Sequence, residues 1–464
     1  MYHQISSELN KAGSLRILVV KPRPSYQNIR VDRLMRSEPL ELEYLYTILQ
    51  GYDVALLDGV TSRKSPVKLA HKLQPDVVLF TGYITDINAI FHAARQLKMF
   101  TKPPLIFVGG VQAEVTPEFF NDPAIDGVFY HNQLSGIASV LNNIQQKVDY
   151  TNTSGALFRI DNILVKNPPE DKTAELPVPK RIFFEQNPSR FRYMHYQKCA
   201  VVKTAYGCPG KCSFCYCRLM NGGKYTARNI DEVIDEIADI TKSETIFIID
   251  DNFLINRARL LEFCEKWQAK SIKKQFIIYG TANFIANNPD IMAKLRDIGL
   301  RNVIVGFEFI NDSSLNDVAK AASAKDNDAT VEICNRLNID LTALFIADPR
   351  WKVADFKQLT AYLKKKQIIF ATFSVMTKFP DNSVPLPADT RWWRYNLLHL
   401  QEEPENMTRW QFYRWIFYLY LIPGMNIATL RRLIHQCGFL QAVRILFIST
   451  ITGIEFLCKL FIWR

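Results

Sequence analysis

Four of the nine cysteines in this 464-residue sequence fall within one stretch, TAYGCPGKCSFCYC, at residues 204–217. Cys208, Cys212 and Cys215 follow the spacing C-x3-C-x2-C, with Cys217 one residue further on beyond Tyr216. Thiolates are soft donors suited to zinc and to iron–sulfur clusters, and a closed structural zinc site takes four ligands. Cys217 is too near Cys215 to turn the same way with ease, so the spacing favours three ligands. Three sulfurs on a cubane leave one iron open to bind and activate a small molecule. Gly207, Pro209 and Gly210 permit a tight wrap in which sulfurs converge and backbone amides face the cluster.

Such a loop needs a scaffold, and the sequence around it reads as parallel strands separated by helices. CAVVKTAYG (199–207) is the first strand of a series that continues with TIFIIDD, QFIIYGT, NVIVGFEF, IDLTALFIAD and IIFATFSVM. Helical stretches such as NIDEVIDEIADI, RARLLEFCEKW, PDIMAKLRDIG and ADFKQLTAYLKKK lie between them. Six strands alternating with helices predict a partial or full barrel whose chemistry sits at the carboxyl ends of the strands. An earlier series, LRILVV, YDVALLD, DVVLFTG, PLIFVGG and IDGVFY, predicts a separate doubly wound parallel sheet over residues 15–150. Ligands of such sheets lie beyond the strand carboxyl ends, where Asp58, Thr81, Gly82, Gly109 and Gly110 fall. Glycines also end strands in any fold, so this signal is weaker than the cysteine loop.

The domain reading is therefore an N-terminal tail (1–14), a Rossmann-like doubly wound domain (15–150), an extended linker (151–190), the partial barrel (191–385) and a mainly helical, aromatic and basic region (386–464). The tail segment GFLQAVRILFISTITGIEFLCKLFIWR is interrupted by Arg444, Glu455 and Lys459. It fits a helix lying on a membrane or packed on the barrel better than one spanning a bilayer. MYHQISSELNKAG has no apolar h-region, which predicts a cytoplasmic protein with reduced thiols. A net charge of +11 allows an anionic partner without choosing one, and no basic and aromatic stripe of the nucleic-acid-binding kind is present.

The cysteine spacing, with the aromatic Phe214 inside it and a six-strand βα series behind it, resembles the signature of the radical S-adenosylmethionine enzymes. The resemblance implies a [4Fe-4S] cluster on Cys208, Cys212 and Cys215, with S-adenosylmethionine chelating the fourth iron. It places Phe214, Asp250, Asp251 and Asn252 of IIDDNFLIN, and Glu308 of VGFEF, at the S-adenosylmethionine site. The N-terminal domain is similar to the cobalamin-binding domain that precedes the radical core in one large branch. That similarity assigns Asp58, Thr81, Gly82, Thr85, Gly109 and Gly110 to cobalamin. Two departures stand out. The D-x-H-x-x-G motif is absent, since Gly59, Val60 and Thr61 follow Asp58, and His131, Asn132, Gln133 and Leu134 replace a G-E-G-E stretch.

The resemblance implies a cobalamin-dependent enzyme that methylates an unactivated carbon, and the aromatic, basic C-terminal tail points to a small, lipid-like substrate. An external electron donor would reduce the cluster, and the C-terminal tail would supply peripheral membrane contact. A cyclase or other oxidative rearrangement with the same cofactors is the first alternative. A non-catalytic iron–sulfur or zinc module binding nucleic acid is the second, disfavoured by the incomplete ligand set.

Overall fold

The computed structural model describes the whole chain except residues 1, 6–13, 132, 171–175, 381–389, 423–426 and 463–464. The boundary expected at 385/386 lies outside the described residues, as do parts of the expected tail and linker. The chain forms two compact units. One comprises Met1–Asn28, Pro39–Gln186 and Pro380–Asn396, the other Ile29–Glu38, Asn187–Phe379 and Leu397–Arg464.

The first unit is built on a sheet of eight strands: β1 (Tyr2–Ile5), β2 (Arg16–Lys21), β3 (Asp53–Asp58), β4 (Val77–Thr81), β5 (Leu105–Gly109), β6 (Gly127–Phe129), β7 (Ala156–Ile160) and β8 (Ile163–Lys166). Their order is β1-β3-β2-β4-β5-β6-β7-β8. Strands β2 to β6 run parallel, and Ile17 to Val20 and Val77 to Phe80 are buried, as strands covered on both faces require. Helices α1 (Leu40–Ile48), α2 (Pro66–Leu73), α3 (Ile87–Leu97) and α4 (Gln133–Gln146) supply the connections and covering layers. Ser65 caps α2, accepting from the Lys68 amide at 3.4 Å, and Pro66 pre-sets its first turn.

Two expectations about this unit need correction. Residues 2–5 of the predicted tail are the edge strand β1, antiparallel to β3 with Tyr2 opposite Leu57. The predicted extended linker holds the hairpin β7–β8, which pairs antiparallel with β6 and buries Ala156, Leu157 and Phe158. Polar residues around ALFRI and ILVK hid the alternation. The helix Ile182–Gln186 is also fixed, because the buried Glu43 carboxylate accepts the Phe183 amide at 2.9 Å.

The second unit carries six parallel strands in sequential order: β9 (Cys199–Val202), β10 (Thr245–Ile248), β11 (Gln275–Gly280), β12 (Leu300–Glu308), β13 (Asp340–Ala347) and β14 (Phe370–Val375). Helices α5 (Ile230–Asp239), α6 (Arg257–Ala269), α7 (Pro289–Ile298), α8 (Ala324–Arg336) and α9 (Val353–Lys366) follow the first five strands in turn. This is the predicted partial (βα)6 barrel topology. Asn256 caps α6 and a Ser323–Asp326 capping box starts α8, so these two helices begin where their sequence signals it. The edge strand β9 is protected on its open side by Glu38, whose carboxylate accepts the Val201 amide at 2.5 Å.

Three helices end the chain: α10 (Arg409–Leu421), α11 (Ile427–Cys437) and α12 (Phe439–Ile462). On α12, Ala442 and Ile445 pack with Phe370 and Leu433, while Phe456 stacks on Phe417 with ring centroids 6.3 Å apart. No described helix is long and apolar enough to cross a membrane.

Candidate functional site

The cysteine loop leaves the carboxyl end of β9 through a neck in which Ala205–Tyr206 pairs antiparallel with Thr226–Ala227. Gly207, at φ +70°, turns the chain inward, and its amide donates to the Asp251 carboxylate at 3.0 Å. Inside the loop the Gly210 amide points at the Cys208 sulfur at 3.4 Å, and the Cys215 amide donates to the Cys212 carbonyl at 3.1 Å. The Ser213 amide reaches the Val318 carbonyl at 3.0 Å, tying the loop to the connection after β12.

Cys208, Cys212 and Cys215 are close enough for each thiol to feel the others' charge. Burial pushes the Cys208 and Cys212 thiols up, and the Lys320 ammonium acts in the opposite direction on both. Cys215 is held below its ordinary value by the thiol of Cys217, and Cys217 is pushed up in return. The charge of Asp251 pushes the Cys217 thiol up as well. The Cys217 thiol is thus influenced by both Cys215 and Asp251.

Among the described residues no three His, Cys, Asp or Glu side chains are gathered to hold a single metal ion. A cubane makes a different demand, because each of its cysteines takes a different iron. Three soft thiols converging from one glycine-bearing loop, half-buried and facing a lysine, fit that donor chemistry.

The strand ends around the loop carry the remaining charges. At the end of β12, Glu308 is a non-glycine residue at φ +57°, and the β12–β13 register shifts between Gly306 and Glu308. This costly conformation turns the Glu308 side chain back, where its Oε1 meets Lys320 Nζ at 2.9 Å. The two side chains are 9% and 10% exposed. Gly306 leaves room beneath them: a Cβ there would lie 2.1 Å from Glu308 Oε1 and 2.9 Å from Lys320 Nζ, so the pair would have to shift. Burial alone would depress Lys320, but the charges of Glu308 and Cys212 outweigh it and hold the ammonium protonated. Lys320 Nζ also lies 6.0 Å from the Phe214 ring, which packs against Phe309, Leu315, Val318 and Ile346.

The three polar residues after β10 divide their roles. Asp250 is fully engaged inward, accepting from the Thr204 amide at 2.6 Å, the Thr204 hydroxyl at 2.5 Å and the Ala205 amide at 3.0 Å. It fastens the cysteine-bearing segment to β10. Asn252 caps its own turn, accepting from the Leu254 amide at 3.1 Å. Only Asp251 faces the cysteine loop, with Lys203 Nζ 3.8 Å away. Sequence reasoning missed Lys320 and Lys203, since neither stands in a motif; Lys203 directly follows the end of β9, and Lys320, twelve residues beyond the end of β12, carries no local signal.

In the first unit, the parallel strand order reverses between β2 and β4, the switch point at which open α/β sheets bind ligands. Lys21 ends β2 opposite Asp58, and Thr81 ends β4 opposite Gly109. The half-buried Lys21 is ion-paired with Glu41, and Asp58 accepts from the Val60 amide at 3.0 Å and the Thr61 hydroxyl at 2.5 Å. Burial raises Asp86 to about 6 despite the Tyr83 amide that it accepts at 2.9 Å. Thr85 sits in the short turn Ile84–Asp86 beside it. Gly110 has φ +93°, and a Cβ on it would meet Thr81 Oγ1 at 2.6 Å. Gln133, one of the residues in place of the G-E-G-E stretch, grips that turn: it accepts the Gly110 amide at 2.6 Å and donates to the Gly110 carbonyl at 3.2 Å. Val60 stands where the motif's histidine would be, so that position offers no imidazole.

Residues 202–363 match the radical SAM superfamily, and residues 31–134 match the B12 binding domain. The chain is a radical S-adenosylmethionine enzyme with a B12-binding domain. Its cofactor set follows from those two domains: a [4Fe-4S] cluster, S-adenosylmethionine and cobalamin. The enzyme is 24% identical over 382 residues to a hopanoid C-3 methylase of Methylococcus capsulatus, covering 79% of this chain and 71% of that one. It is 22% identical over 410 residues to an anaerobic magnesium-protoporphyrin IX monomethyl ester cyclase of Synechocystis, covering 83% and 81%. Its fold matches the radical S-adenosylmethionine methyltransferase TsrM of Kitasatospora setae, solved with cobalamin and a [4Fe-4S] cluster, at a TM-score of 0.59 and 17% identity. That match covers 78% of this chain and 75% of that one.

Proposed function

We propose that the enzyme methylates an unactivated carbon of a small, apolar, lipid-like substrate. The observation that carries this reading is the mutual electrostatic influence of Cys208, Cys212 and Cys215 and of the Glu308–Lys320 pair, in a chain that also holds a B12-binding domain. When bound, the cluster and S-adenosylmethionine supply a 5′-deoxyadenosyl radical that opens a C–H bond, and methylcobalamin supplies the methyl group.

The chain's own residues bind and orient. Cys208, Cys212 and Cys215 would hold the cluster. Lys320 and Asp251 offer a cation and a carboxylate next to those thiols, complementary to the carboxylate and ammonium of S-adenosylmethionine. Glu308 keeps Lys320 charged and fixed, and Phe214 contributes an apolar wall beside it. Asp250 and Asn252 position the backbone that presents Asp251. Asp58, Thr81, Gly82, Thr85, Gly109 and Gly110 would line the switch-point edge proposed for cobalamin, and the Val60 position offers no histidine as a cobalt ligand.

The substrate class is supported by the hopanoid C-3 methylase among the relatives and by the apolar C-terminal helices. Peripheral membrane contact through those helices and an external electron donor belong to the same reading. Cyclisation without methyl transfer is the second reading, favoured by the cyclase relative. Anaerobic reconstitution with iron, sulfide and cobalamin, followed by methyl-labelled S-adenosylmethionine and a polycyclic lipid, separates the two. Labelled product supports methylation, unlabelled product assigns the second reading, and absence of cofactor-dependent deoxyadenosine rejects both.

A further inference from the structure

We propose that α12 seats the protein on an anionic bilayer surface through the face carrying Leu440, Val443, Phe447 and Ile454. The inference deepens the lipid-substrate reading and takes its biological sense from it.

These residues follow the helical repeat, at intervals of three, four and seven, so they share one side of α12. They are 82%, 47%, 65% and 57% exposed. The opposite side, with Ala442, Ile445, Phe456 and Leu460, is buried and already satisfies the fold. The outward row therefore spends about 21 Å of helix on apolar side chains that packing does not use. Soluble surfaces rarely keep such a row without an occupant.

Charge decides what covers it. From Arg409 to Ile462 the sequence has six Lys or Arg and a single acid, Glu455. That carboxylate is committed to Arg33 at 2.9 Å and to Lys459. Arg414 and Arg431 are exposed, and Arg444 follows Val443 directly. Arg444 and Arg36 both lie near enough to oppose the charge of Arg192. A second copy of the chain would set this basic surface against itself, whereas anionic headgroups complement it and their acyl chains take the apolar row. Arg444, next to the apolar row, suits a helix lying in the interface, and no described helix is long and apolar enough to span.

The test uses the full chain and sedimentation with vesicles of phosphatidylcholine, with and without phosphatidylglycerol. The wild type is expected to pellet with the anionic vesicles, less so at high salt. L440E/F447E should bind them at least tenfold more weakly while melting normally by circular dichroism, because both side chains are exposed. Wild-type protein left in solution, or equal binding by the variant, overturns the proposal. So does lipid-free self-association abolished by the variant, which gives the face to a second copy. Deoxyadenosine formation in the same preparations keeps the readings apart: vesicle binding can fail while cleavage persists, and cleavage can fail while binding persists.

Discussion

Lys320 Nζ lies 2.9 Å from Glu308 Oε1, and the pair is almost wholly withdrawn from solvent beside the cysteine loop. A buried pair of this kind is costly to break from one side, since the remaining charge has nowhere to go. Lys320→Met should destabilise the barrel unit by about 3–5 kcal/mol, seen as a lower unfolding midpoint. It should also weaken S-adenosylmethionine binding by calorimetry at least tenfold. Lys320→Arg should recover stability in part, and unchanged affinity in both variants removes Lys320 from the site.

The four clustered cysteines should separate into three and one. Alanine at Cys208, Cys212 or Cys215 is expected to abolish bound iron, visible cluster absorption and deoxyadenosine formation. Cys217→Ala should still load iron and sulfide, but release iron to a chelator about tenfold faster, as loss of a partner to the Cys215 sulfur implies. Iron retained without any one of the trio contradicts the ligand assignment.

Gln133 clamps the Gly110 turn with two hydrogen bonds, at 2.6 and 3.2 Å. Removing both should cost about 1–2 kcal/mol of local order. Gln133→Ala is accordingly predicted to retain about tenfold less corrinoid after gel filtration, with iron content unaffected. Equal corrinoid in both proteins would falsify the placement of cobalamin at this edge.

Asp250 gives a pH dependence with a definite sign. Burial raises its carboxyl from 3.8 to about 6 in spite of three donors. Between those values the folded chain holds a proton that the unfolded chain has released, so stability falls as pH rises through about 4 to 6. The full contribution is about 3 kcal/mol. Asp250→Asn keeps the shape and can donate to the Thr204 hydroxyl instead. The unfolding midpoint of the variant should therefore gain on that of the wild type as pH is raised from 4 to 7, and parallel curves would contradict the burial argument.

The linear pattern was legible wherever one physical rule acts over a short range. Parallel strands covered on both faces must be apolar throughout, so LRILVV, DVVLFTG and NVIVGFEF announced themselves, each to within a residue or two of the observed strand. The short hairpin β7–β8 escaped, because Ile160, Ile163 and Val165 are exposed and its polar setting resembles a connector. Asp250 and Asp251 look equivalent in sequence, yet one points into the core and the other toward the cysteine loop, as alternation along an extended chain requires.

By itself, then, the sequence determined the chemistry on offer: three thiols at a fixed spacing in one glycine-bearing loop, and strands whose composition demands a covered parallel sheet. Only the tertiary structure decided what those thiols face. Lys320 follows Glu308 by twelve residues, and it reaches the site because the backbone reverses at a strained Glu308 over a glycine that leaves room. Such a meeting depends on where a chain turns in space, which no local spacing rule encodes.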